Sequence, residues 1–263
     1  MTAHDVVVRL RAAGCVWAEE EAALLAAATS DPAGLEALVD RRVGGEPLET
    51  VLGWVEFLGR RLVVAPGVFV PRRRTELLAR TALREVADRT GRTGRPVVVE
   101  MCAGVGPVAA SLDDRVDLHV ADLSEVALRC ARTNAPTAEA HLGHLFDALP
   151  DRLRGRIDVL AANAPYVPTD RIADMPPEAR DHEPRAALDG GADGVDLHRR
   201  IASAAPQWLA AGGVLLIETS PGQAALTTGA MAAAGLTTTV GTDPDVGGCV
   251  AVGRLSPAAG EQA

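Results

Sequence analysis

The chain contains no lysine and very few aromatic residues. All 26 of its basic residues are arginines, and aromatic residues make up 3% of the 263 positions, with a single tyrosine, Tyr166. Hydrophobic residues nevertheless reach 48%, which predicts a sizeable core of Ala, Val and Leu and excludes gross disorder. A lone tyrosine in such a chain is a candidate for a specific task.

Cysteines are few and widely spaced. The four of them, Cys15, Cys102, Cys130 and Cys249, form no Cys-x-x-Cys pair, and this spacing argues against a zinc site and against a disulfide framework. No metal is therefore expected. The sequence also lacks a basic-then-apolar leader and an apolar run long enough to cross a membrane, so a cytoplasmic protein without membrane contact is expected.

Positive charge is also scarce. The formal net charge is −9, and the only dense basic run is Arg72-Arg73-Arg74. Proteins that hold nucleic acid through its phosphates usually carry a basic balance or a basic stripe. Stable nucleic-acid binding is therefore not expected.

Apolar spacing divides the chain into three parts. Residues 1–50 carry apolar stripes at helical spacing and predict a small helical N-terminal domain. Residues 51–94 predict a β-hairpin and helical linker, which ends in a polar hinge over Asp88–Arg95. Residues 95–263 are predicted to form the main domain.

Within the linker, two short apolar runs indicate the hairpin. They are Val55–Leu58 and Leu62–Val64, with Gly59-Arg60-Arg61 as the expected turn. A helix is predicted from Thr75 to Ala87.

In the main domain, apolar strands alternate with helices, which predicts an α/β fold with a doubly wound parallel sheet. The predicted strands are Val97–Glu100, Asp117–Ala121, Asp158–Ala162, Val214–Glu218 and a closing edge strand over Gly247–Leu255; the predicted helices are Val108–Leu112, Ser124–Asn134, Val195–Leu209 and Gln223–Ala234.

A glycine-containing turn follows the first of these strands. Gly104 and Gly106 let the backbone approach a ligand, and Pro107 suits the first position of the next helix. Gly104-x-Gly106-x-x-Ala109 fits a dinucleotide site as well as an S-adenosylmethionine site. Glu100 favours the second, because a carboxylate beside the turn repels a pyrophosphate and attracts a sulfonium. An ordinary strand-to-helix turn is the remaining interpretation.

An acidic residue ends the second predicted strand. Asp122 stands where a carboxylate can accept both hydrogen bonds of a ribose diol, and Ser124 is a candidate helix cap. A capping role for Asp122 itself is the alternative interpretation.

The third candidate motif is Asn163-Ala164-Pro165-Tyr166. Pro165 forces Ala164 into an extended conformation and turns its carbonyl outward. The Asn163 side-chain oxygen and that carbonyl can together accept both hydrogens of a planar NH₂ group, with Tyr166 as a flat wall. Alignment of the nitrogen with a methyl donor then supplies much of the rate. An ordinary Asn-Pro turn is the alternative.

These motifs occur in an order that resembles the protein-(glutamine-N(5)) methyltransferases, which modify peptide-chain release factors. The resemblance covers nearly the whole chain. The matching segments are Gly53–Phe57, Pro66–Arg72, Thr75-Glu76, Glu100–Gly106, Asp122–Ser124, Asn163–Tyr166, Glu183-Pro184, Leu188 and Gly190–Gly194.

The resemblance implies a seven-stranded Rossmann-like methyltransferase domain, a hairpin linker and an N-terminal domain that helps dock the protein substrate. It implies that Asn163 and the Ala164 carbonyl hold the substrate amide, within a motif that includes Pro165 and Tyr166. The residues expected to contact S-adenosylmethionine are Glu100, Cys102, Gly104, Gly106, Asp122, Leu123, His144, Leu145 and Asn163.

Four residues depart from the family pattern. Ala164 and Arg73 stand where prolines are common, Cys102 replaces the first glycine of the cofactor loop, and His144 stands where an aspartate commonly meets the adenine. These changes indicate a divergent paralogue of the release-factor enzymes. They leave the identity of its methyl acceptor open.

Several functions remain open at this stage. The leading one is methylation of an exposed glutamine in a protein such as a release factor. A small amide or amine substrate, adenine N6 of nucleic acid, a decayed non-catalytic cofactor-binding scaffold and a nicotinamide dehydrogenase are the alternatives. The sequence does not predict an oligomeric state.

Overall fold

Four helices precede the first strand. In the computed structural model, which describes residues 1–89 and 94–257, they are α1 (Ala3–Ala12), α2 (Ala18–Ala28), α3 (Pro32–Val43) and α4 (Leu48–Leu52). Their apolar sides enclose a small core of their own, formed by residues that include Val6, Leu10, Ala18, Leu25, Val39 and Val51. The predicted helical N-terminal region is therefore present.

The hairpin consists of β1 (Trp54–Phe57) and β2 (Arg60–Val63), which pair antiparallel. Leu58 and Gly59 form its turn, with φ of 47° and 73°. Two successive positive φ values are characteristic of the type I′ turns that fit the twist of a tight hairpin. The predicted turn is wrong at both ends, because the turn begins one residue earlier at Leu58 and because Arg60 and Arg61 belong to β2.

A helix connects the hairpin to the sheet. This helix, α5 (Glu76–Ala87), follows a short 3₁₀ turn over Arg73–Thr75 and buries Leu77, Leu78 and Ala82 against the sheet. Of the hinge predicted over Asp88–Arg95, residues 90–93 lie outside the described part of the chain.

Seven strands form one mixed sheet, as the resemblance implied. The remaining elements in chain order are β3 (Val97–Met101), α6 (Pro107–Ser111), β4 (Asp117–Asp122), α7 (Glu125–Asn134), β5 (Glu139–Leu142), β6 (Ile157–Ala162), α8 (Pro177–His182), α9 (Asp196–Ala204), β7 (Leu209–Glu218), α10 (Ala224–Ala233), β8 (Thr237–Asp243) and β9 (Gly248–Arg254).

The strand order is β5-β4-β3-β6-β7-β9-β8, and only β9 runs antiparallel to its two neighbours. From β3 the chain adds strands toward one edge of the sheet, and from β6 it adds them toward the other edge. The point at which the direction changes, the topological switch point, therefore lies between β3 and β6. Open α/β sheets form their ligand crevice at this point, at the carboxyl ends of the strands.

Three details of the predicted main domain are wrong. The strand at the end of the chain is not an edge strand, because β9 lies between β7 and β8. The two actual edge strands, β5 and β8, were not predicted from the apolar pattern. The helix predicted over Val195–Leu209 ends at Ala204, and Leu209 begins β7.

The central strands are apolar on both faces, because helices cover the sheet on each side. All five residues of β3 are buried, as are five of the six residues of β6. Across the ranges that the structure describes, no helix has both the length and the apolar character needed to span a bilayer.

Candidate active site

A pocket opens at the carboxyl ends of β3, β4 and β6, beside the switch point. Its wall includes Glu100, Cys102, Gly104, Asp122, Leu123, His144, Leu145, Asn163, Ala164, Pro165 and Tyr166. The structure thus brings together all the residues predicted for the site except Gly106. The linker adds Phe69, Arg72 and Arg74 to the same wall.

The loop after β3 has a left-handed backbone at three positions. Cys102, Gly104 and Gly106 have φ of 53°, 55° and 73°. A Cβ on Gly104 would meet no heavy atom within 4 Å, so it would project into the open pocket, whereas a Cβ on Gly106 would lie 3.2 Å from the Cβ of Ala131. Gly104 therefore leaves room for a ligand, and Gly106 permits close packing of α7.

Glu100 lies at the base of this loop and is 3% exposed. Its carboxylate accepts hydrogen bonds from the backbone N–H groups of Val108 (3.1 Å) and Ala109 (2.7 Å), in the first turn of α6. Burial raises the pKa of Glu100 to about 8, against the lowering effect of those two bonds. Glu100 is thus tied to α6, and near neutral pH its negative charge is largely suppressed.

Asp122 connects the two loops that flank the pocket. One carboxylate oxygen accepts from the N–H of Gly104 and the other from the N–H of Ser124, each at 2.8 Å. Ser124 caps α7 by accepting from the N–H of Ala127 at 3.2 Å. Each carboxylate oxygen retains a second lone pair, so the loop bonds leave Asp122 able to accept from a ribose diol.

His144 and Leu145 lie on the rim that follows β5. Leu145 has a φ of 49°, a second non-glycine residue in the left-handed region at the pocket wall. The two ring nitrogens of His144 lie 3.3 and 3.4 Å from the guanidinium of Arg200. Leu123 is 59% exposed, so its apolar side chain is available for contact with a ligand at the mouth of the pocket.

Asn163 follows β6 directly. Its side-chain nitrogen lies 3.4 Å from the hydroxyl of the buried Thr75, and its side-chain oxygen has no hydrogen-bond donor within residues 1–89 and 94–257. That contact orients the amide so that its oxygen is available as an acceptor. Ala164 is fully buried.

A buried carboxylate that the sequence did not predict supports Tyr166. The phenol donates to Oε1 of Glu218 at 3.2 Å, and Nε of Arg74 lies 3.3 Å from the same oxygen. The Arg74 guanidinium also lies 5.7 Å from the centre of the Tyr166 ring. Burial raises the pKa of both Tyr166 and Glu218.

The loop over Glu183–Gly194 packs against the Asn163–Tyr166 motif and the linker. Glu183 is buried and binds the N–H of Val70 (3.2 Å) and the guanidinium of Arg72 (2.7 Å). A Cβ on Gly190 would lie 2.7 Å from Cα of Tyr166, so only glycine allows this approach. The linker, the Asn163–Tyr166 motif and the Glu183–Gly194 loop lie far apart in the sequence, and each resembles the family. In the structure they meet around Tyr166.

Gln223 completes that packing from the start of α10. Its side-chain nitrogen donates to the carbonyl oxygens of Tyr166 (2.8 Å) and Asp193 (3.0 Å). Glu218 is the last residue of β7, and Gln223 directly precedes α10. Neither residue was predicted from the sequence, because no local motif marks them.

The pocket suits a nucleoside with a cationic tail better than a pyrophosphate. Gly104 leaves open space above the turn, and the carboxyl groups of Glu100 and Asp122 line that space. Within residues 1–89 and 94–257, neither carboxyl group is paired with an arginine. Asp122 therefore favours positive charge in a bound ligand, and Glu100 does so when it ionises above its raised pKa of about 8. Asn163 and Tyr166, which follow β6, line the same pocket.

Comparison with curated proteins shows clear relatives. The chain is 38% identical over 199 residues to the release factor glutamine methyltransferase of Geobacter sulfurreducens, with 73% of this chain and 67% of the relative covered. It is 39% identical over 187 residues to the 4-amino-L-phenylalanine/4-methylamino-L-phenylalanine methyltransferase of Streptomyces pristinaespiralis, with 68% and 63% covered. The chain thus spans about two thirds of the length of these relatives.

Among solved structures, the ribosomal protein L11 methylase of Lactobacillus delbrueckii subsp. bulgaricus has the same fold. It matches with a TM-score of 0.51 at 12% identity, over 74% of this chain and 84% of that one. No protein-family model matches the chain.

Proposed function

This chain belongs to the release factor glutamine methyltransferase family, and from that premise we propose that it methylates the side-chain amide nitrogen of a glutamine in a peptide-chain release factor, with S-adenosylmethionine as the methyl donor. The single observation that carries the proposal is the meeting of two sites in one pocket. The cofactor candidates Gly104 and Asp122 and the acceptor candidates Asn163 and Tyr166 line the same cavity.

S-adenosylmethionine, when bound, supplies an electrophilic methyl group on a sulfonium. In our proposal Asp122 holds its ribose diol and favours its positive charge, and Glu100 adds to that attraction when it ionises above a pKa of about 8. His144, Leu145 and Leu123 would contact the adenine, since they form the rim after β4 and β5. The open space above Gly104 supports a close approach of the ligand to the backbone.

The acceptor amide is proposed to lie between Asn163 and Tyr166. The Asn163 oxygen and the Ala164 carbonyl accept its two N–H hydrogens and aim the nitrogen at the methyl group. The nitrogen forms the new C–N bond as the S–C bond breaks, and its extra proton leaves to solvent. No strong base is needed, because alignment of the reacting atoms supplies much of the rate.

Tyr166 is proposed as the flat wall of the amide site. Its phenol is fixed by Glu218, and its ring lies under the guanidinium of Arg74. A fixed ring restricts the amide plane, so these contacts support positioning of the acceptor. Thr75 does the same for Asn163 from the linker.

We further propose that residues 1–50 form a docking domain for the protein substrate, residues 51–94 a linker and residues 95–263 the catalytic domain. Arg42 of α3 is buried, pairs with Glu21 at 2.6 Å and also pairs at 2.6 Å with Glu178 of α8. Glu178 lies just before the loop that contacts Tyr166. This contact supports a fixed position of the N-terminal helices α1 to α4 relative to the pocket.

A second candidate acceptor is a small aromatic amine. It is favoured by the 39% identity to the 4-amino-L-phenylalanine/4-methylamino-L-phenylalanine methyltransferase. An aniline NH₂ is planar and presents two hydrogens, as a glutamine amide does, so Asn163 and Ala164 would hold it equally well. The helical N-terminal region favours the protein substrate, because a small molecule requires no docking surface.

Two parallel incubations, one with each acceptor, separate the two candidates. The full chain is incubated with methyl-labelled S-adenosylmethionine and, in parallel, with a purified release factor from the same organism or with 4-aminophenylalanine. We expect a labelled glutamine in the release factor by peptide mass spectrometry, and little label in the amino acid. Label in the amino acid alone would replace the first proposal by the second, and label in neither would contradict both.

A further inference from the structure

Three side chains with metal-binding atoms lie together at the edge of the sheet, away from the pocket wall. His119 is on β4, and Glu139 and His141 are on the neighbouring edge strand β5. In the parallel register His119 lies opposite Glu139, and Ala121 lies opposite His141. Because side chains alternate along a strand, Glu139 and His141 share the face on which His119 lies.

The distances among these groups suit a single ion. Nδ1 of His119 lies 3.1 Å from Nε2 of His141. Oε2 of Glu139 is 3.8 Å from the first nitrogen, and Oε1 is 4.0 Å from the second. In a tetrahedral zinc site with bonds of about 2.0–2.1 Å, neighbouring ligand atoms are about 3.3 Å apart. The histidine pair therefore matches already, and the glutamate requires only a small side-chain rotation.

The surroundings of His119 resemble those of a metal-bound imidazole. Its second ring nitrogen, Nε2, is buried, and Oδ1 of Asp117 lies 3.6 Å away from it. Carboxylates commonly orient a metal-bound histidine through the nitrogen that does not bind the metal. Here a small movement of Asp117 would complete that contact.

Arg152 is the one cation that competes for this cluster within the described ranges. It pairs with Oε2 of Glu139, and it leaves Oε1 directed toward His141. Glu139 is about half exposed, so an ion can enter from solvent on its side. Without an ion, the two imidazoles share a hydrogen bond of 3.1 Å. An ion would replace that bond, and the shared proton would move to the second nitrogen of the ring that carries it, so both ligands stay neutral.

We propose that His119, Glu139 and His141 bind a divalent transition-metal ion of the zinc class, with solvent at the remaining position. Imidazole ligands favour zinc, nickel, cobalt and copper over magnesium and calcium. The ion would link the edge strand β5 to β4. Since β5 continues within two residues into His144 and Leu145, occupancy would stabilise the strand that carries the pocket rim.

The test uses the full chain without an affinity tag, freed of metal with a chelator. Zinc is titrated calorimetrically, and cobalt is titrated while its visible absorption is recorded. We expect one ion per chain, a dissociation constant in the micromolar range or tighter, a rise in Tm on zinc addition, and a cobalt spectrum without a thiolate charge-transfer band. Absence of stoichiometric binding, or a thiolate band that places the ion on a cysteine, would overturn the proposal.

Two variants and one control locate the ion. His141→Asn and the more exposed Glu139→Gln should each weaken zinc binding by tenfold or more, whereas His4→Ala on the exposed face of α1 should leave it unchanged. The Tm of each variant in chelator checks that it folds. If His141→Asn does not fold, Glu139→Gln decides the question, and unchanged affinity in that variant would overturn the assignment.

Discussion

The phenol of Tyr166 donates a hydrogen bond of 3.2 Å to Oε1 of Glu218, which joins the end of β6 to the end of β7. Nε of Arg74 lies 3.3 Å from the same oxygen. One buried carboxylate oxygen therefore positions two side chains that line the pocket, although the three residues lie far apart in the sequence. Loss of this oxygen's charge should move the acceptor side of the pocket and leave the cofactor side in place.

Glu218→Gln tests this positioning role. We expect kcat for methyl transfer to fall by about tenfold to a hundredfold, because the neutral amide binds Arg74 and Tyr166 more weakly. The dissociation constant of S-adenosylhomocysteine should stay within about threefold. Glu125→Gln, on the exposed side of α7, is the matched control and should leave both quantities unchanged. Equal losses in kcat and cofactor affinity would mean that Glu218 supports the whole pocket.

Cys102→Gly tests the strained backbone of the loop after β3. Cys102 has a φ of 53°, a region that costs a residue with a Cβ about 1–2 kcal/mol. Relief of that strain offsets the larger entropy loss of glycine on folding. We expect the free energy of unfolding to stay constant or rise by up to about 1 kcal/mol, measured by urea titration.

The matched control for that prediction is Cys130→Gly, in the middle of α7. Cys130 is buried in a regular helix, so glycine there should lower the free energy of unfolding by at least about 1 kcal/mol. Similar losses at both positions would contradict the account of Cys102.

Asp122→Ala separates a ribose-binding role from a purely local one. If Asp122 accepts hydrogen bonds from a ribose diol, binding of S-adenosylhomocysteine should weaken by about 1–3 kcal/mol, measured by calorimetry. Asp113→Ala, at an exposed carboxylate that pairs with Arg115, is the control. An unchanged dissociation constant in Asp122→Ala would limit Asp122 to its bonds with Gly104 and Ser124.

The buried carboxyl group of Glu100 predicts a pH dependence that distinguishes the donor from the product. Burial raises the pKa of Glu100 to about 8, so the group is neutral below that pH and negative above it. A negative charge attracts the sulfonium of S-adenosylmethionine, which S-adenosylhomocysteine lacks. The affinity for the donor relative to the product should therefore rise as the pH increases through about 8.

Glu100→Gln provides the control for that pH profile. The variant has no titrating group at this position, so its ratio of donor to product affinity should change less between pH 7 and pH 9, about one unit on each side of the raised pKa of Glu100. A flat ratio in the unmodified chain, or the same slope in both proteins, would contradict the role given to Glu100.

The central strands were predictable because helices cover them on both faces. Val97–Glu100 and Asp158–Ala162 stand out as short apolar runs, and the structure extends each by one residue. The edge strands β5 and β8 were missed for the opposite reason. Most residues of β8 are at least partly exposed, so its sequence, Thr-Thr-Thr-Val-Gly-Thr-Asp, carries no apolar pattern that distinguishes a strand from a loop.

The site was predictable only where its residues form local motifs. Asn163–Tyr166 and the loop after β3 are each continuous in sequence, and the structure brings them to one pocket. Glu218 and Arg74 meet only through the fold, across 144 positions of the chain. The sequence placed Glu100 beside the cofactor loop as a charged carboxylate, but it could not predict that this group is buried against the first turn of α6 and that burial raises its pKa.

The measurement that tests the account most directly is a paired assay of Asn163→Ala. Methyl transfer to the identified acceptor is measured alongside the affinity for S-adenosylhomocysteine. Because Asn163 is proposed to hold the acceptor amide, transfer should fall by about a hundredfold or more, while the dissociation constant should change by less than about threefold. Gln207→Ala removes an exposed side-chain amide that does not line the pocket, so it should leave both transfer and cofactor affinity unchanged. Undiminished transfer in Asn163→Ala, or a parallel loss of cofactor affinity, would contradict the account.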